Sequence, residues 1–207
     1  MRGTPEGDTW YGVSSPLTDL DRAVAMSASV VKALRAIGFD DEQLDLVRRA
    51  HDLAMGPRVA QLDDDHHPDY LHPGRSVLIL LRDVGHSHAV SLAAGALLES
   101  ESESLRVGHS QIESGIGAHV AGVLSEIPAP GDERLVERLV LLPVTSRLAA
   151  LSERLDQLRH GHLHPDRVWW AAIHEEATRA WLPVAERTHE RLAQQYRHWH
   201  RTFARRL

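Results

Sequence analysis

The sequence predicts an all-α protein. Three observations carry that reading: apolar residues recur at helical spacing through most of the chain, no stretch alternates as a strand, and cap and stop residues fall where helices of ordinary length would begin and end. No internal repeat and no domain boundary is visible, so residues 17–207 are read as one helical domain. Residues 1–16, rich in Gly, Pro and Ser, form an irregular arm with Trp10 and Tyr11 as its only anchors.

Each element follows from local signals. Thr18 or Asp19 caps a first helix over 20–37, whose spacing runs through Val24, Ser27, Val31 and Leu34, and Gly38 stops it. Asp40 and Gln43 make a capping box for a second helix carrying Leu44, Val47, Ala50, His51 and Ala54, which Gly56-Pro57 should break or kink. An acidic loop, Asp63-Asp64-Asp65-His66-His67-Pro68, comes next. Pro73 suits the first turn of a helix, so His72 stands at the mouth of a helix reaching Arg82. Residues 86–98 read as a buried helix whose Ala and Ser let neighbouring helices approach, and 108–117 as a turn or short helix. Helical spacing resumes over 120–127 and ends at Pro128-Ala129-Pro130-Gly131. Two long helices complete the chain: 132–157, bent near Pro143, and 165–201, which Pro183 can kink.

Composition narrows the function classes. With 43% apolar residues, five Trp and only two Phe, the core is built mainly from Leu, Val and Ala. Absence of cysteine excludes disulfides and thiolate metal sites and fits a reducing compartment, hence an expected cytoplasmic location. No apolar run is long enough to span a bilayer, and MRGTPEGDTWYG does not read as a secretory signal. The net charge of −6 disfavours general nucleic-acid binding. A homo-oligomer through the long C-terminal helix stays open.

The stretch 58–103 holds Gln61, Pro68, His72-Pro73, Ala93-Ala94 and Leu97-Leu98 in an order that resembles the hydrolase domain of RelA/SpoT-type (p)ppGpp (alarmone) hydrolases of the HD superfamily. In that family a Q-x-R-x-S-G loop leads to a His-Pro, and a small-residue helix ends in L-H-D-V-V-E-D. Further along, GIGAHVAGVL at 115–124, LSERLDQLRH at 151–160 and AWLPVAERT at 180–188 are similar to the family's F-G-x-x-V-x-x-I-V, L-A-D-R-L-H-N-M-R and Y-A-P-L-A-E-R. The resemblance covers roughly residues 44–195 and implies an HD-domain helical bundle.

It also implies a metal centre, from which this chain departs. The family holds manganese through the His of His-Pro, the His-Asp pair ending the buried helix and the Asp of L-A-D-R. Here His72 is kept, Glu99 and Ser100 stand for the His-Asp pair, and Glu153 stands for the last Asp. A neutral His72 with two carboxylates keeps the family's formal charge, which would suit manganese or magnesium. Glutamate is longer than aspartate and a Ser hydroxyl is a poor ligand, so the site would have to shift. The alternative is that Glu99 and Glu153 pair with arginines such as Arg75, Arg147 or Arg154. Glu103 matches a family Glu used in catalysis and would share a face with Glu99 if the helix continues. ESESES is equally the composition of a solvated helix end.

On the substrate side, the resemblance puts Gln61, Asp63 and Gln157 against the nucleotide. Asp63, Asp65 and His66 fall where the family has its R-x-S-G residues, and like charges about 4 Å apart cost roughly 1 kcal/mol even in water. An anionic alarmone is therefore disfavoured. The histidines of HGHLHP and of the acidic loop read as polar connections rather than ligand sets, Trp169 and Trp170 as core anchors, and the basic tail as a packed or frayed helix. Two functions follow. One is a binding or regulatory module on an HD scaffold, taking a small-molecule or nucleotide ligand without the hydrolytic metal. The other is a metal-dependent phosphohydrolase with a rebuilt site (His72, Glu99, Glu103, Glu153) and a non-alarmone substrate.

Overall fold

Thr18 opens the first helix as the sequence indicates. Its hydroxyl accepts from the Asp21 N–H at 3.1 Å while the Asp21 carboxylate accepts the Thr18 N–H at 3.0 Å, closing a capping box at the head of α1 (Asp19–Ala36). Gly38, with φ of 82°, ends it in the left-handed region that suits glycine. Asp40 and Gln43 exchange the same pair of bonds, at 2.8 and 3.3 Å, at the start of α2 (Asp41–Val59). The computed structural model describes residues 18–59, 68–129, 132 and 134–207. Residues 1–17 with the expected arm, the stretch with Gln61, Asp63, Asp64, Asp65, His66 and His67, expected as a loop, and Pro130-Gly131 lie outside the described residues.

The helices that build the site come next. A 3₁₀ turn, Pro68–Leu71, leads into α3 (His72–Leu78), which has Pro73 in its first turn and passes directly into a π-helical stretch, Ile79–Val84. Gly85, at φ 75°, closes that run. α4 (Ala89–Leu97) begins three residues later than the sequence suggests, and every residue from Ser91 to Leu97 is buried. It packs against α2, α3, α6 (Ala118–Glu126) and α8 (Val144–His160), with α5 (His109–Gly115) beside α6 and α2. Small residues make this possible: a side chain at Gly95 would place its Cβ 3.2 Å from Ser152 Oγ and 3.4 Å from a Leu80 methyl.

Three expectations about prolines are corrected. Pro57 does not end α2, which continues to Val59. Pro57 lies in the last turn, where its missing N–H removes a single ladder bond, and Arg58 holds the turn by donating to the Ala54 carbonyl at 2.7 Å. Near Pro143 the chain does not bend within one helix but separates α7 (Leu135–Leu141) from α8. The C-terminal segment is not one long helix about Pro183. The proline sits in the first turn of α10 (Leu182–Glu186), after α9 (Arg167–Glu176) and a π turn, Ala177–Trp181; the break falls beyond it, before α11 (Glu190–Phe203).

The described residues thus comprise eleven α-helices and no strand, and none of these helices is long and apolar enough to cross a membrane. One buried apolar cluster runs from Val30 and Leu34 of α1 through Leu80, Leu92, Leu151 and Leu155 to Tyr196 and Phe203 of α11. Two polar tips fasten α11 to α8 within it: Tyr196 Oη donates to the Leu151 carbonyl at 2.8 Å and Trp199 Nε1 to that of Leu158 at 2.6 Å. A second cluster of Ala50, Ala54, Ala93, Ala94, Ala149 and Val120 joins α2, α4, α6 and α8.

Packing of this kind gives a direct expectation. Leu92 is 0% exposed, so Leu92→Ala should lower stability in urea denaturation by about 2–5 kcal/mol. Val168→Ala, at a residue 77% exposed on α9, should change it by no more than about 0.5 kcal/mol. Equal effects would contradict a core centred on α4.

Candidate functional site

Helical spacing prepares the site on two facing helices. On α3, His72 and Arg75 are one turn apart; on α8, Glu153, Asp156 and Gln157 are three and four apart, and so share a face. Because α3 packs on α8, the two sets meet. His72 Nδ1 donates to Asp156 Oδ2 at 2.7 Å, and Arg75 forks onto the same carboxylate, Nε to Oδ1 at 2.7 Å and Nη2 to Oδ2 at 2.8 Å. Burial alone would raise the Asp156 carboxyl, but the bonds and charges of His72 and Arg75 outweigh it and hold it well below the usual carboxylate range. Burial likewise works against a charged His72. Asp156 on Nδ1, helped by the charges of Glu153 and Glu99, wins and raises the imidazole above its ordinary value.

Glu99 and Glu153 are resolved differently. α4 ends at Leu97, and the next residues turn away, so that Glu99 faces inward against Arg58 at the end of α2. Arg58 Nη2 donates to Glu99 Oε2 at 2.5 Å, while Glu99 Oε1 accepts the N–H groups of Glu101 and Ser102 at 3.1 and 2.9 Å. Glu153, 1% exposed, has no cation at ion-pair distance among the described residues. Its Oε1 accepts from Ser100 N at 3.1 Å, Ser100 Oγ at 2.5 Å and Gln157 Nε2 at 2.6 Å; Oε2 accepts from none of the described residues. Burial therefore dominates and pushes Glu153 up to about 7, against the lowering pull of His72 and of the Ser100 bond. Arg154, next on α8, is taken by Glu101 at 2.7 Å and Glu176 at 3.0 Å, over the Trp181 ring.

A cavity of about 350 Å³ opens beside this cluster. Glu99, Ser100 and Glu153 supply its inner polar end, Arg106 and His109 lie on its exposed side, and aliphatic side chains with Trp181 form the rest of the wall. Arg106 is fixed by donating to the backbone oxygens of Glu99 at 3.0 Å and Ser100 at 3.4 Å.

His72, Glu99, Ser100, Glu153 and Gln157 thus come from α3, α8 and the segment after α4 into one neighbourhood. Glu103 is exposed in the short turn Glu103–Leu105 and does not line the cavity; because α4 stops at Leu97, Glu99 and Glu103 share no helical face. Gln61 and Asp63 lie outside the described residues. Neither Arg75, Arg147 nor Arg154 is the ion-pair partner of Glu99 or Glu153; the partner of Glu99 is Arg58, which lies just past the Gly56-Pro57 expected to break or kink α2. Asp156 was also missed. Its signal was present in LSERLDQLRH, where it falls one turn beyond Glu153, opposite a His-Pro-Gly-Arg that puts an imidazole and a guanidinium on one face.

The residues do not fit the metal that the resemblance implies. His72 Nε2 is buried without a hydrogen-bond partner, as a vacant ligand atom would be. Yet the Glu99 carboxylate is occupied on both oxygens, and no three His, Asp or Glu side chains among the described residues are grouped to hold an ion.

Glu153 makes stability depend on pH. Its carboxyl binds protons more tightly folded than unfolded, so stability present below its ordinary value of 4.5 is lost as pH rises towards about 7. The raised His72 adds a loss in the same direction at higher pH. Glu153→Gln keeps an oxygen for Ser100 and Gln157. At pH 8 it should be more stable than the parent by about 3 kcal/mol, and near pH 4 equal to it, in chemical denaturation at each pH. Parallel pH profiles would contradict the placement of a buried carboxyl with no counter-cation among the described residues.

No family model matches this chain, and no curated protein matches it. The all-helical fold and the geometry above are therefore what bear on function.

Proposed function

We propose that this chain is a divergent HD-type helical protein, similar in the order of its motifs to RelA/SpoT-type alarmone hydrolases, that acts as a small-molecule-binding or regulatory module rather than as an alarmone hydrolase. The observation that carries the reading is the way the acidic groups are satisfied. At the positions where the resemblance implies a metal, His72 is engaged by Asp156, Glu99 by Arg58, and Glu153 by Ser100 and Gln157. A metal ion would have to displace Arg58 from Glu99 before gaining that ligand. Breaking a buried pair of that kind costs about 3–5 kcal/mol.

A binding role is supported by the cavity itself. It has the mainly apolar wall and few convergent polar groups typical of small-ligand sites, and its volume of about 350 Å³ suits a compact molecule. The reading also suits the Asp63-Asp64-Asp65 loop, whose charge opposes a polyphosphate. One observation favours the alternative of a metal-dependent phosphohydrolase with a rebuilt site: the buried, unpartnered His72 Nε2.

The two readings part in a simple assay. Purified protein supplied with manganese should release no pyrophosphate from ppGpp, and excess EDTA should leave its melting temperature unchanged. Turnover abolished by His72→Ala, or a melting temperature that falls on chelation, would establish the metal-dependent enzyme instead.

A further inference from the structure

Charge accounting around the cavity singles out one group. Asp156 is answered by Arg75 and His72, Glu99 by Arg58, and Glu101 and Glu176 by Arg154. Among the described residues Glu153 has only neutral donors, all on Oε1, and it lines the cavity. Its Oε2 accepts no hydrogen bond from the described residues, although the residue is 1% exposed. A buried carboxylate with an open oxygen beside an apolar chamber is complementary to a positive hydrogen-bond donor.

We propose that this cavity binds a primary or secondary amine carried on a compact apolar body, with the ammonium seated on Glu153 and the body against Leu97, Val107, Ile112, Leu124 and Trp181. The inference rests on the ligand-binding reading above and names the class of ligand. Glu99 is no rival anchor, because Arg58 and two backbone N–H groups occupy it. The opposing charge is Arg106, the anchor an anionic ligand would use. Its guanidinium already donates to two backbone oxygens and is exposed, where water weakens its pull. Ser100 Oγ, already turned towards Glu153 at 2.5 Å, fixes the carboxylate so that little reorganisation accompanies binding.

Three probes of one shape test the charge class: 2-phenylethylamine, 2-phenylethanol and phenylacetate, measured by isothermal titration calorimetry on the full chain. The amine should bind at least about tenfold more tightly than the alcohol, and phenylacetate should be weakest. In Glu153→Gln the amine should weaken to the level of the alcohol, while the alcohol changes less than about twofold. Circular dichroism and thermal unfolding verify that variant's fold, and the comparison on the unaltered protein decides the charge class without it. Equal or tighter binding of the alcohol or of phenylacetate would overturn the amine assignment while leaving a ligand-binding cavity. An amine affinity unchanged in a folded Glu153→Gln would do the same. No binding by any of the three would overturn both this assignment and the binding reading beneath it.

Discussion

A carboxylate taken out of water into a helical core costs several kcal/mol unless a cation or a set of donors replaces its hydration. Three such groups, Glu99, Glu153 and Asp156, lie together here, each no more than 7% exposed. Each is handled separately, and the rest of the site follows from how. Asp156 receives a forked arginine and an imidazole from α3, Glu99 draws in Arg58 from α2, and Glu153 is left with a hydroxyl, an N–H and an amide.

These pairings also explain the local backbone. Arg58 can reach Glu99 only because α2 carries on through Pro57, and its bonds to the carbonyls of Ala54 and Leu105 tie that last turn to the segment after α4. Glu99 in turn folds that segment by accepting the N–H groups of Glu101 and Ser102, which ends any continuation of α4. The Ala and Gly residues of α4 bring α2, α3 and α8 close enough for side chains from all three to meet around its C-terminal end. The cavity opens at the edge of that junction, where the alanine-rich packing gives way to larger aliphatic side chains.

Much of the fold was legible because caps and stops act locally. Thr18, Asp40 with Gln43, and Gly38 specify helix ends through bonds and backbone angles that involve only nearby residues. Prolines were read less well, since whether Pro57 or Pro183 breaks a helix depends on what the neighbouring side chains bind and on π turns that no local signal announces. At the site, periodicity placed His72 and Glu153 on helices, and only the resemblance brought them together with Glu99 and Gln157. The partners were hidden because a charge pair between α2 and the end of α4 joins residues 41 positions apart, and Asp156 with His72 spans 84. Ser100 looked like a lost ligand; in the fold its hydroxyl is the principal donor to Glu153.

The central claim is that internal partners, not an ion, engage the acids of this junction. It is tested most directly by diffraction at the manganese absorption edge from crystals soaked in manganese chloride. The account predicts Arg75 still forked on Asp156, Arg58 still on Glu99, and no anomalous peak within bonding distance of His72 Nε2. A peak held jointly by His72 and Glu153 or Glu99 would contradict it.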